Sequence, residues 1–151
     1  MSVDSRPWPP RYAFEEHQAS HDELRGLLAQ ADRLLADAEV TLVSTASRHA
    51  LAHNAVVILA HLALAAHGWR TTESHHYWGI DSLKHTVGLS DDEVDVLQAH
   101  RAKRHHAAYS PEPMVSEAEM AELLAQAKGL RVRVVAWLCD QHADLWDTTP
   151  D

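Results

Sequence analysis

Apolar residues recur at intervals of three and four along most of the chain, the spacing that places them on one face of an α-helix. The first such run follows Ser20 and Glu23, whose spacing is that of a capping box. Its apolar positions are Leu24, Leu27, Leu28, Ala31, Leu34, Leu35 and Ala38. We predict a first helix from about Ser20 to about Val43, with a break near Ser44, where β-branched residues cluster.

The next segment, from about Ala46 to His67, is apolar on nearly all sides and is followed by Gly68, a typical residue just past a helix end. A helix of this kind is buried on most of its surface, so we predict that it forms the centre of a bundle. Its longest near-continuous apolar run, Ala55 to Ala66, contains His61 and is shorter than the ~18 residues of a membrane span. We therefore expect no membrane association.

Three more helices are predicted from the remaining pattern. A short one follows Ser74 and ends at Gly88, and the last runs from Glu117 to about His142. The fourth and fifth helices each begin with a capping-box pair, Ser90 with Glu93 and Ser116 with Glu119. Together the segments predict an all-α bundle of five helices, four long and one short.

The chain of 151 residues corresponds to one domain. We expect residues 1–19, which are rich in proline, to form a flexible tail, residues 20–143 to form the bundle, and residues 144–151 to form a short C-terminal tail. The single cysteine, Cys139, excludes an internal disulfide, and we expect it to be a buried apolar residue. The N-terminus lacks the apolar run of a signal peptide, so we expect a cytoplasmic location.

A basic segment, Leu97 to Ser110, stands out in a chain whose formal net charge is -9. It carries Arg101, Lys103 and Arg104 and no acidic residue. Favourable interaction with the helix dipole, worth ~0.3 to 1 kcal/mol per charge, accounts for basic residues near a helix C-terminus. It does not account for Arg101, which falls on the packing face of the predicted helix and needs a partner there. An acid such as Glu39 or Asp95 is a candidate for that structural ion pair.

The same segment contains the groups needed to cleave RNA without a metal. That reaction requires a proton acceptor for the 2′-hydroxyl, a proton donor to the leaving 5′-oxygen, and positive charge on the transition state. Arg101 and Arg104 are candidates for binding the phosphate, and His105 or His106 for transferring protons. Tyr109 is a candidate for stacking on a base or donating a hydrogen bond to the phosphate.

The alanine-rich helix that ends in His67-Gly68-Trp69-Arg70, the following His75-His76 pair and the basic segment together resemble bacterial HEPN-type proteins (higher eukaryote and prokaryote nucleotide-binding). The resemblance covers about Ser20 to His142. It implies an up-and-down HEPN-like bundle, a metal-independent toxin-type ribonuclease without a cofactor, and a homodimer. Its implied partners are RNA and a cognate antitoxin or nucleotidyltransferase protein.

The family motif is an arginine, a polar residue, a short spacer and a histidine, and two registers compete for it. Arg101 with His106 has an acceptable spacer, but the residue after Arg101 is not polar. Arg104 is followed by the polar His105, but Tyr109 stands where the histidine is expected. This second register resembles family branches that have an arginine, an asparagine and a later tyrosine.

Two other interpretations stay open. In the first, the arginines are structural and the protein is a non-catalytic dimerisation or protein-binding module. In the second, the histidines bind a metal, for which His49 and His53 have the required i, i+4 spacing. The pair His75-His76 either approaches the basic segment or forms the polar start of the short helix.

Overall fold

The computed structural model describes residues 7–109 and 114–147. Most of this part of the chain is α-helical, which confirms the predicted all-α class. The elements in chain order are β1 (Phe14–Glu16), α1 (His21–Ala38), α2 (Thr45–Ala66), β2 (Trp69–Thr71), α3 (His75–Ser82), α4 (Asp91–Tyr109), α5 (Glu117–Gln141) and α6 (Ala143–Trp146). The prolines at 111 and 113, and the outer parts of both predicted tails, lie outside the described residues.

Helix α2 is the centre of the bundle, as its sequence predicts. It packs against α1, α3, α4 and α5, and most of its apolar residues are buried. By length and composition α2 is apolar enough to cross a bilayer, but most of its hydrophobic stretch is buried inside the protein, as in the core helix of a bundle.

Side-chain caps fix where four of the helices begin, including α2, where Ser44 Oγ accepts from the backbone N–H of Ser47. In two of them the capping box is reciprocal: Ser90 and Glu93 exchange hydrogen bonds before α4, and Ser116 and Glu119 do so before α5. At α1 only half of the box forms. Ser20 Oγ accepts from the backbone N–H of Glu23, whereas the Glu23 carboxylate is bonded to the side chain of His17.

Part of the predicted N-terminal tail is folded, which makes the boundary at residue 19 wrong. Strand β1 pairs antiparallel with β2, with Phe14 opposite Thr71 and Glu16 opposite Trp69. The side chain of Phe14 is buried against Leu64 of α2. Burial of an aromatic ring on α2 stabilises a segment whose prolines exclude helix.

The C-terminal boundary and the helix count also differ from the prediction. Residues 143–146 form a sixth helix, because Trp146 is buried and its ring stacks under the guanidinium of Arg25. Helix α1 ends at Ala38, earlier than expected, because the following β-branched residues form a turn before Ser44 caps α2. Cys139 is exposed, so its predicted burial is wrong.

Helix α3 lies unusually close to α2 at Gly79. A Cβ atom on this glycine would lie 3.0 Å from Nε2 of His61. That same Nε2 donates a hydrogen bond to the backbone carbonyl of His75, at 3.1 Å. A glycine and a histidine–carbonyl bond thus hold the start of α3 against the central helix.

Candidate functional site

A cleft of about 390 Å³ opens where α2, α3 and α4 meet. Seven residues line it: His53, His76, Arg101, Arg104, His105, Ala108 and Tyr109. We call it the arginine–histidine cleft. None of these lining residues is acidic, although the chain as a whole is strongly so.

Helix α4 contributes one face to this cleft. Arg104 and His105 lie three and four residues after Arg101, so all three project from the same side of the helix. Tyr109 follows one turn after His105. Four of the five predicted site residues are therefore brought together. His106 is not among the lining residues; it is exposed, with its ring centroid 6.4 Å from that of His105. The cleft thus contains Arg104, His105 and Tyr109, the residues of the second register, whereas the first register has only Arg101 in it.

Arg101 does not form the ion pair that its place on the helix suggested. Its guanidinium lies 5.6 Å from the ring centroid of Tyr77, and its Nε donates to Oε1 of Gln98 at 2.7 Å. An aromatic ring and an amide thus replace the carboxylate of Glu39 or Asp95. Neither of these contacts brings an acidic group to Arg101.

Arg104 has an unfulfilled donor. Its Nε is buried and has no hydrogen-bond partner within the described parts of the chain. Buried polar groups in proteins are nearly always bonded, so an unpartnered buried N–H is a place where a ligand atom is expected. A guanidinium that lines a cleft is matched in charge and geometry by a phosphate or carboxylate.

Two neutral histidines form the floor of the cleft. His53 of α2 is 1% exposed, and its Nε2 lies 2.9 Å from Nδ1 of His76 at the start of α3. Burial, reinforced by His76, His49 and the two arginines, lowers the pKa of His53 to about 3. Burial and the charge of Arg104 also lower the pKa of His76. Both rings are uncharged at neutral pH, so one nitrogen of the pair donates and the other accepts.

A second histidine cluster begins one turn away on α2. His49 Nε2 lies 3.1 Å from Nδ1 of His100, whose Nε2 lies 2.8 Å from the carboxylate of Glu122. In the arrangement that satisfies the carboxylate, His100 donates to Glu122 and accepts from His49. Burial and His100 lower the pKa of His49 to about 4. This His49–His100–Glu122 chain joins α2, α4 and α5.

The partnership of His53 with His76 is the feature that sequence reasoning missed. These residues are 23 positions apart, and their pairing depends on how α3 packs on α2. Two indications were available: the one-turn spacing of His49 and His53, which suggested a metal site, and the alternative in which the His75-His76 pair approaches the basic segment. Within residues 7–109 and 114–147 no three or more histidine, cysteine or acidic side chains converge to hold a metal.

The chain has no significant match among protein-family models, curated proteins or solved structures.

Proposed function

We propose that the arginine–histidine cleft binds the phosphate groups of RNA, and that the protein is a HEPN-like, metal-independent ribonuclease of the toxin type. The observation that carries this proposal is the buried Nε of Arg104, a donor without a partner among the described residues, at the wall of a cleft. A phosphate oxygen is the acceptor it lacks. Arg101, one turn earlier, supplies a second positive charge to the same anion.

The histidine pair provides the base for cleavage. When Nδ1–H of His76 donates to Nε2 of His53, the other nitrogen of His76 keeps a free lone pair. That lone pair takes the proton of the 2′-hydroxyl, and the 2′-oxygen then bonds to phosphorus. The 5′-oxygen leaves with a proton from His105, which gives a 2′,3′-cyclic phosphate and a 5′-hydroxyl. In the transition state, Arg101 and Arg104 stabilise the negative charge on the phosphate oxygens.

The resemblance to HEPN proteins supports the remaining parts of the proposal. These parts are that the chain forms a homodimer whose two basic segments come together, that its partner is an antitoxin or nucleotidyltransferase protein, and that it is located in the cytoplasm. Sedimentation of the purified chain at several concentrations tests the dimer. Sedimentation as a monomer at every concentration would contradict it.

Binding and cleavage of a single-stranded RNA in EDTA test the function. Arg104→Ala should weaken binding roughly tenfold and reduce the salt dependence by about one released counterion. His76→Gln should abolish cleavage while RNA still binds. His106→Ala, on the same helix but outside the cleft, is the matched control and should behave as wild type. Equal cleavage by wild type, Arg101→Ala, Arg104→Ala and His76→Gln would refute the enzyme.

A second function, a non-catalytic helical module, is favoured by the contacts of Arg101. This guanidinium packs on Tyr77 of α3 and binds Gln98, so it also holds α3 and α4 together. In that case Arg101→Ala lowers the free energy of unfolding or weakens the dimer. It leaves RNA binding at the level of the wild type, which separates the two functions in one set of measurements.

A further inference from the structure

A second hollow lies beside the β1–β2 pair. It has a volume of about 360 Å³ and is lined by residues 7–12 and Trp69. Its walls are prolines and aromatic rings, and its single charged lining residue is Arg11, with its guanidinium 4.8 Å from the ring centroid of Trp69. The buried indole N–H of Trp8 has no acceptor in the described part of the chain. We call this the aromatic hollow.

Aromatic contacts connect the aromatic hollow to the arginine–histidine cleft. The ring of Tyr12 meets Trp78 edge-on with centroids 5.8 Å apart, and Trp78 meets Tyr77 in the same way at 5.0 Å. The ring of Tyr77 in turn packs against the guanidinium of Arg101, which lines the cleft. Each step of this path is shorter than 6 Å, so a surface of rings and guanidinium groups leads from one site to the other.

Packing explains only part of this surface. Phe14 is buried in a small core with Trp8, Trp69 and Trp78 packed around it. Tyr12 and Tyr77, however, are 57% and 41% exposed. Exposed rings with arginines at either end are typical of surfaces that bind single-stranded nucleic acid, since bases stack on the rings and phosphates contact the cations.

We propose that the aromatic hollow and the arginine–histidine cleft bind successive nucleotides of one single-stranded RNA. The cleft takes a phosphate, as in the proposed function on which this inference rests, and the hollow takes an unpaired base beside Arg11 and Trp69. Tyr77 and Tyr12 contact the bases between them. A duplex does not fit this mode of binding, because its bases are already stacked and paired.

Binding of 2′-O-methylated RNA, which lacks the attacking hydroxyl, tests the path by fluorescence anisotropy without cleavage. The probes are a trinucleotide, a single strand of about eight nucleotides and a duplex of the same length. Arg11→Ala and Tyr12→Leu should each weaken binding of the longer strand about fivefold or more and leave the trinucleotide unchanged. Both positions are exposed, and circular dichroism checks that each variant is folded.

The controls distinguish a failure of the second binding site from a failure of RNA binding by the cleft, on which the inference rests. Arg33→Ala removes one charge from the exposed face of α1, which packs on α2, α5 and α6, and should leave all affinities unchanged. Unchanged affinity for both strands in Arg104→Ala would refute RNA binding by the cleft. Weaker binding in Arg104→Ala with no change in Arg11→Ala and Tyr12→Leu would refute only the second site. A duplex bound as tightly as the longer single strand would also overturn it.

Discussion

Two histidine clusters begin one turn apart on α2 and end in different surroundings. From His49 the chain passes through His100 to the carboxylate of Glu122, whereas from His53 it passes to His76 at the edge of a cleft. At its outer end the first cluster is bonded to an acid of the protein itself, while Nδ1 of His49, at the buried end, has no partner among the described residues. The charged residues near the second are arginines, so an anion has to come from outside. The third partner, rather than the histidine pair, distinguishes a structural cluster from a binding site.

The largest expected effect tests what the two clusters share, which is the burial of neutral histidines. In the folded chain the pKa of His49 is about 4 and that of His53 is about 3, against 6.5 when exposed. Below pH 6.5 these two histidines bind protons in the unfolded chain but not in the folded chain. Stability is therefore full at neutral pH and falls as the pH decreases from about 6.5 towards 4. Between pH 7 and 5 we expect a loss of roughly 2 kcal/mol per histidine.

Urea unfolding at several pH values measures this loss. His49→Leu should remove the share of one histidine from the pH dependence, and His106→Gln, at an exposed position, should not alter it. A free energy of unfolding that is constant between pH 7 and 5 would contradict the burial of neutral rings.

Single substitutions should separate the two clusters. His49→Ala is expected to lower the free energy of unfolding by about 3 kcal/mol, because it leaves a cavity and removes the partner of His100. Its RNA affinity should be unchanged, since His49 does not line the cleft. His76→Ala should cost only about 1 kcal/mol, because water can replace the lost partner of His53 at this exposed site, but it should weaken RNA binding roughly tenfold. Chemical denaturation and anisotropy together give both values, and the reverse pattern would remove the distinction.

Inorganic phosphate should act on one cluster only. At about five times its Kd, phosphate is expected to stabilise the wild type by about 1 kcal/mol. Arg104→Ala should lose this effect, and chloride at equal ionic strength should not reproduce it. By NMR titration the bound anion should raise the pKa of His76 and leave that of His49 where it is. Equal stabilisation of the Arg104→Ala variant would place the anion elsewhere.

The smallest effect is expected at the outer end of the structural cluster. Glu122 is 57% exposed, so solvent screens its interaction with His100. Glu122→Gln should therefore lower the free energy of unfolding by at most about 1 kcal/mol, and an amide oxygen still accepts the hydrogen bond. Thermal unfolding measures the change. A loss as large as that of His49→Ala would show that the carboxylate, and not burial, dominates the cluster.

The parts of the fold that are predictable depend on residues within a few positions of one another. The reciprocal box of Ser90 and Glu93 and the apolar face of α5 are examples. The grouping of Arg104 and His105 around Arg101 on one side of α4 also follows from helical spacing, because they lie three and four residues after it. Local pattern therefore predicts the class, most helix boundaries and one wall of the candidate site.

The features that are not predictable depend on pairing between distant segments. Phe14 pairs with Thr71 in the sheet, and His53 is hydrogen-bonded to His76 across the contact between α2 and α3. Neither pair has a periodic pattern that identifies its partner, and prolines before Phe14 suggest a tail instead. Trp146 is a similar case, because a single aromatic residue near the end of the chain gives no pattern at all.

Gly79 has a consequence for the dimensions of the cleft. A methyl group at this position would meet Nε2 of His61 at 3.0 Å, so α3 or that imidazole would have to shift by a few tenths of an ångström. His76 lies three residues earlier on α3, and an outward shift of the helix would draw it away from His53. The width of the cleft at its histidine floor is thus set by the residue with the smallest side chain.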